Sequence, residues 1–280
     1  MLEKAPATNA DALVLDLEDS VPVAEKAAAR DIVAGVLSTL SSVTAYVRVN
    51  GTGSGQTLPD IRATMSPALQ GILLPKVQSP SDVLTVCEWL DETETANGIP
   101  HGQVEVICMI ETAVGLRAAY EIASASQRVA SLVCSSAENG DLQTDLGSGW
   151  MLDGAPMQYA RSKIIVDARA AGISYPLDGV YARVADLEGL SRDSEVSRSL
   201  GYRGRTLIHP SHIDVVNRVY APSADEIAYC RSLVAAFEAA LGEGRASIAF
   251  QGKMVDYAMI PWAKRVLQEV ESFGIEAMPA

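Results

Sequence analysis

The sequence predicts a parallel α/β fold, a (β/α)₈ (TIM) barrel with a C-terminal lid, on three observations. Short, continuously apolar runs alternate with Ala-rich segments of helical periodicity. The runs turn polar at their C-terminal ends, and none is followed by a phosphate-cradling glycine turn. The runs are ALVLDLED (12–19), TAYVRVNG (44–51), GILLPKV (71–77), EVICMIETA (105–113), ASLVCSSA (130–137), LDGVYARV (177–184) and GRTLIHP (204–210). Unbroken apolar strands suit a parallel sheet covered on both faces. Between them, segments such as EKAAARDIVAGVL and GLRAAYEIASAS carry good helix formers at helical spacing.

The rival architecture is an open doubly wound sheet. GTGSG at 51–55 is its nearest approach to a nucleotide turn, but no suitable helix start follows, so it reads as a βα loop. The barrel is favoured by where the polar residues fall. Asp16, Glu18, Asp19, Arg48, Lys76, Glu111, Asp141, Asp178 and His209 stand at or just beyond strand ends, the face where barrels build their sites. Seven strands are countable rather than eight, after an opening helix over 2–9, so a first strand is missing from the pattern. Beyond about residue 222 the pattern changes to a helix (224–241), a hairpin-like stretch and another helix. The expected organisation is a catalytic barrel over 1–222 and a lid and oligomer contact over 223–280.

Composition narrows the function classes. Of 280 residues 48% are hydrophobic, enough for a sizeable core. Lys and Arg total 22 against 35 Asp and Glu, a net charge of −13 with no basic stripe, which argues against a nucleic-acid partner. Cys87, Cys108, Cys134 and Cys230 form no CxxC pair and read as buried, reduced thiols. The N-terminal stretch has no signal-peptide pattern and no run reaches membrane-spanning length, so a cytoplasmic protein with no membrane partner is expected.

Glu111 ends an apolar strand, where a buried carboxylate is costly unless paired or metal-bound. Asp141 follows the next strand in ENGDLQTDLG. Two carboxylates on adjacent strand ends, with waters and substrate oxygens completing the shell, suit octahedral Mg²⁺. The plainer reading is that Asp141 or Asp145 caps the helix there. Arg48 at a barrel mouth fits a bidentate grip on a carboxylate or carbonyl, or a salt bridge to Glu18 or Asp19. Alternation puts Asp16 and Glu18 on one face with Asp19 at the turn. His209 before Pro210 is a candidate base or a structural strand end. Lys76 is a candidate Schiff-base lysine or an anion binder, and Cys134 reads as core.

The motifs DALVLDLEDSV, AYVRVNG, GILLPKV, MIETAVGL, DLQTDLG, ARAAGISYPLDGVY, LGYRGRTLIHPSHIDVVN, APSADEI and GKMVDYAM, taken in order, resemble the citrate lyase β-subunit-like branch of the HpcH/HpaI aldolase superfamily. That branch includes malyl-CoA and citramalyl-CoA lyases. The resemblance implies a barrel, Mg²⁺ with Mn²⁺ as its substitute, a homotrimer or homohexamer and a lid shared between subunits. By position, Glu111 and Asp141 resemble the metal ligands, with Glu111 also touching substrate. Arg48 resembles the residue that grips the substrate, and Asp256 the aspartate that a neighbouring lid delivers to the thioester enolate. The resemblance is broken in three places. The family's opening strand has no counterpart before Met1, the loop SSAENGD is longer than usual, and Arg205 and His212 stand where Lys and Gln are common. The longer loop makes Glu138 an alternative to Asp141.

The activity this implies is cleavage of a malyl-CoA or citramalyl-CoA type thioester to an acyl-CoA and a 2-oxo acid. The alternatives are a citrate lyase β subunit acting on citryl-acyl-carrier protein, and an inactive barrel with a binding or scaffold role.

Overall fold

A computed structural model describes residues 8–40 and 43–274. Of the helix expected over 2–9, residues 2–7 lie outside the described residues. Two compact units divide between Val216 and Asn217.

In the first unit β1 (Ala12–Asp16), β2 (Thr44–Arg48), β3 (Leu69–Leu74), β4 (Glu105–Ile110), β5 (Val129–Cys134), β6 (Leu177–Asp178) and β7 (Gly204–Arg205) pair in sequential order. All six ladders are parallel, and the sheet curls into a half-barrel with β1 and β7 as its edges. The α/β class stands. The described residues do not close an eight-stranded barrel.

Alternation along β4 explains why its run is apolar throughout. Val106, Cys108 and Ile110 are wholly buried on one face, while Ile107 and Met109 on the other join Leu73 and Val133 in a core that Tyr46 and Leu177 flank. Each such buried side chain contributes roughly 1.5–3 kcal/mol. By the same alternation Glu111 continues the Ile107–Met109 face. The helices between strands are α1 (Lys26–Leu37), α2 (Thr57–Thr64), α3 (Pro80–Asn97), α4 (Ala113–Arg117), α5 (Ala119–Ala123), α6 (Asp141–Leu146), α7 (Gln158–Ala170) and α8 (Leu187–Leu200). Start and stop signals are clearest for α3, with a Ser79–Asp82 capping box, Pro80 in the first turn and Gly98 closing it at φ +66°.

GTGSG forms one 3₁₀ turn, Thr52–Ser54, and α2 does begin shortly after it, though Gln56 at its start makes no side-chain cap. The last two runs are much shorter as strands than their apolar stretches predict. Only two residues pair in each, because Asp178 and Arg205 turn into a buried charge network instead of extending the ladder.

The helix α9 (Ile213–Tyr220) spans the division. The second unit holds α10 (Ala224–Gly242), a hairpin of β8 (Ser247–Phe250) and β9 (Lys253–Asp256), and α11 (Ile260–Phe273). Gln251 and Gly252, at φ +46° and +77°, make its tight turn, the backbone that two-residue hairpins favour. Cys230, Leu233, Phe237, Val255, Ile260, Ala263 and Val266 form its core. All four cysteines are free and buried. Among the described residues no helix is long and apolar enough to cross a membrane.

Candidate active site

The ends of β1 to β5 gather charged side chains at one place. β2 is in register with β1, Asp16 opposite Arg48, and the guanidinium grips Asp16 at 2.7 and 2.6 Å. Its remaining nitrogen stands 3.2 Å from Glu18, a buried residue. The expected cross-strand salt bridge therefore forms, but to Asp16 and Glu18, while Asp19 turns to Lys76. Burial raises the Asp16 carboxyl, yet Arg48 more than offsets it and holds the group at about 2. Buried Asn50 secures this corner: its side chain donates to the Leu17 carbonyl at 2.9 Å and to Asp60, which Arg30 also holds.

Lys76 joins the corner to β4. It has a left-handed backbone, φ +54°, uncommon for a residue with a side chain. That twist turns its N–H onto Glu111 Oε2 at 2.8 Å. Its ammonium meets Glu18 at 2.7 Å, Asp19 at 3.1 Å and Asp141 at 3.6 Å. Burial lowers the lysine's pKa, but these carboxylates carry it above its usual value. A Schiff-base lysine must shed its proton, and an ammonium held by three carboxylates is poorly set up to do so. The turn fits closely because Gly115 leaves room: a Cβ there would stand 2.3 Å from the Val77 carbonyl.

Glu111 is buried and takes its second hydrogen bond from Ser135 Oγ at 3.1 Å. Burial pushes its carboxyl up to about 7, and the nearby Glu18 and Asp141 add to the rise. Four of the five carboxylates here, Asp16, Glu18, Asp19 and Asp141, are contacted by two cationic side chains, Arg48 and Lys76, while Glu111 is held by a backbone N–H and a hydroxyl. A third cation, Lys26, stands behind β1 on the carbonyls of Leu17 and Glu18. With all five ionised, two negative charges are left unbalanced, and the raised Glu111 carboxyl is one response to that surplus. Asp141 is half exposed at the first turn of α6. Such a place suits a small hard cation that keeps most of its water and binds through one or two carboxylates. Among the described residues no group of three or more His, Cys, Asp or Glu side chains is placed to hold a metal ion.

Arg48, Glu111 and Asp141 are thus brought together. Asp256 belongs to the second unit, where it ends β9 and accepts the Ala258 N–H at 2.9 Å. Glu138, the alternative to Asp141, is engaged by Arg183 through two bonds of 2.8 Å. Asp178, expected at the mouth, is fully buried and paired with Arg161 instead. His209 caps a short 3₁₀ turn by accepting the Ser211 N–H, and His212 is buried against the Val184 carbonyl. Arg205 is buried on Asp193 and the Gly179 carbonyl. Sequence reasoning missed Ser135, Asn50 and the backbone role of Lys76. Asn50 in RVN had a visible signal, a polar residue closing an apolar strand, whereas nothing in LLPKV announces a left-handed lysine.

The profile of the HpcH/HpaI aldolase/citrate lyase family matches residues 1–210. The chain is 35% identical to the citrate lyase subunit beta of Leuconostoc mesenteroides subsp. cremoris over 270 residues, 96% of this chain and 88% of the relative. It is 34% identical to a (3S)-malyl-CoA thioesterase of Cereibacter sphaeroides (strain ATCC 17025) over 275 residues, 98% and 91% of the two chains. Among solved structures it is similar to the protein CitE from Mycobacterium tuberculosis in complex with magnesium, acetoacetate and coenzyme A. There the TM-score is 0.75 at 30% identity, covering 96% of this chain and 94% of that one.

Proposed function

This chain belongs to the HpcH/HpaI aldolase/citrate lyase family, and we propose that it is a Mg²⁺-dependent carbon–carbon lyase. Its substrate in this reading is a 3-hydroxyacyl-CoA of the malyl-CoA or citramalyl-CoA type, cleaved to an acyl-CoA and a 2-oxo acid. The observation that carries the proposal is the unbalanced acid cluster around Glu111. An anionic hydroxy acid would be repelled there unless a divalent cation came with it.

Glu111 and Asp141 would hold the ion. When bound, it supplies Lewis-acid polarisation of the substrate's oxygens. The protein's own groups do the remaining work. Lys76 N–H and Ser135 Oγ fix the Glu111 carboxylate, so its orientation is set before substrate arrives. Asp16 and Glu18 aim the Arg48 guanidinium, which then stabilises oxyanion character where the hydroxyl becomes a carbonyl. As the C2–C3 bond breaks, its electron pair passes to the thioester enolate and the hydroxyl proton passes to water at the open strand ends. In this reading Asp256, from a neighbouring copy, returns a proton to C2.

The finer architecture follows the same resemblance. A further strand between the edges of β7 and β1 would complete a (β/α)₈ barrel, with a lid formed from the C-terminal region. Strongly exposed Met254 on the hairpin and Tyr257 just after it support use of this segment as a contact in a homotrimer or homohexamer.

A second reading is favoured by the thioesterase relative, namely hydrolysis of the same thioester. Citryl-acyl-carrier protein as substrate is favoured by the citrate lyase relative. One experiment separates the three: a panel of CoA esters and citryl-carrier protein, incubated with Mg²⁺, with 2-oxo acid and free thiol both followed. Release of 2-oxo acid without thiol from a CoA ester is the expected result. Thiol release indicates hydrolysis, and full turnover in excess EDTA removes the metal from the scheme.

A further inference from the structure

Asp141 and Asp145 are one turn apart on α6 and share a face. Asp145 does not cap its own helix. Its carboxylate accepts the N–H of Ala113 at 2.6 Å, two residues beyond Glu111. That N–H is one of the donors a helix start leaves unpaired, so a side chain on α6 grips the turn that carries Glu111. The loop before α6 is gripped as well. Arg183 holds Glu138 through two 2.8 Å bonds, and its guanidinium lies 4.5 Å over the Trp150 ring. Between these anchors Asn139 sits at φ +58°, with its N–H on Gln143.

We propose that Asp145 and Arg183 are positioning residues that clamp the β5–α6 segment at both ends and thereby set the span between the Glu111 and Asp141 carboxylates. The inference rests on reading that pair as a cation site. It goes further in assigning the geometry of the pair to two residues that need not touch the ion. Outer groups of this kind typically cost about 10- to 100-fold in metal affinity when removed. A half-exposed ion pair such as Arg183–Glu138 contributes little to stability, so affinity and melting separate the two roles.

The test is Mn²⁺ binding to the full chain, followed by the paramagnetic signal of the free ion, with a thermal melt of each variant. Asp145→Ala and Arg183→Gln are each expected to weaken Mn²⁺ binding by about tenfold or more. Asp145→Asn is expected to stay within about threefold of the parent, because an amide oxygen still accepts the Ala113 N–H. Glu138→Gln, which breaks the same ion pair from its other side, should weaken binding no more than Arg183→Gln does, while Asp141→Asn should lose most of the binding. If the parent binds no Mn²⁺, or Asp141→Asn binds as well as the parent, the cation reading itself fails. If Asp141→Asn loses binding while Asp145→Ala and Arg183→Gln keep it, the cation reading survives and the clamp is overturned. If Asp145→Asn falls as far as Asp145→Ala, the effect is that of the charge, and the clamp is overturned again. Should Asp145→Ala fail to fold, Arg183→Gln decides.

Discussion

Two charged clusters in the first unit use the same residue types to opposite ends. The cluster at the ends of β1 to β5 has five carboxylates against three nearby cations, and Asp141 stands half in solvent. The cluster behind β6 and β7 links Asp178, Arg161, Asp193 and Arg205 in an alternating chain that is sealed from water. There two carboxylates meet two guanidiniums. Asp178 also accepts from Ser136 and the Gly179 N–H, and Arg205 donates to the Gly179 carbonyl and Ser194. A balanced, satisfied network is finished by folding. A cluster with surplus charge at an open strand end is left with charge that a ligand can still meet, which is the sense of the proposed cation site.

The contrast can be broken most directly at Glu111. Replacing it with Gln is expected to lower kcat by on the order of a thousandfold, while the metal-free protein melts no lower than the parent, since a crowded carboxylate has been removed. Steady-state rates beside a thermal melt check this. A variant that lost activity only by unfolding would put Glu111 in the same class as Asp178.

Asp178 should behave the other way. Asp178→Ala leaves two buried guanidiniums, Arg161 and Arg205, sharing the single carboxylate of Asp193 and is expected to cost about 3–5 kcal/mol of stability. Denaturant unfolding measures it, and a loss well below that range would show the network to be dispensable.

The smallest and sharpest contrast is in pH. Glu111 has a folded pKa of about 7, above the usual carboxylate value. The folded chain therefore holds a proton that the unfolded chain has lost between those two values, and Glu111's contribution to stability falls as pH rises through that window. Metal affinity should run oppositely, gaining about tenfold per unit up to near pH 7 and then levelling, as the ion need no longer displace a proton. Burial raises the Asp178 carboxyl, but Arg161 and Arg205 outweigh it and hold the group below the usual range. Its stabilisation is therefore present at neutral pH and is lost only in acid. Melts of the metal-free protein and Mn²⁺ titrations from pH 5 to 8 would sharpen the difference. A Mn²⁺ affinity flat across that range would count against Glu111 as a ligand.

How far the sequence foretold these regions follows from the same physics. The β1–β5 end was legible because long, doubly buried strands leave long apolar runs, and the first charge after each run marks the mouth. Glu111, Arg48 and Asp16 all sit at such a break. The β6–β7 region was not legible. Its strands are two residues long, and the apolar letters of LDGVYARV and GRTLIHP lie mostly in loops around a buried ion network. Asp178 looks like a mouth residue in the sequence, since only its partner Arg161 on α7 reveals that it is sealed. The sequence offers Asp141 or Asp145 as the cap of α6 and gives no sign that Asp145 serves α4, because which helix start lies nearest is decided by tertiary packing.

Position 76 carries a conflict between durability and use. A left-handed backbone at a residue with a Cβ costs roughly 1 kcal/mol or more, and glycine would relieve it. Glycine would keep the N–H that holds Glu111 and delete the ammonium that draws Glu18, Asp19 and Asp141 together. A search for hardier versions of this protein would therefore be drawn to a substitution that relaxes the backbone and loosens its acid cluster, a trade in which screening by melting temperature alone selects against function.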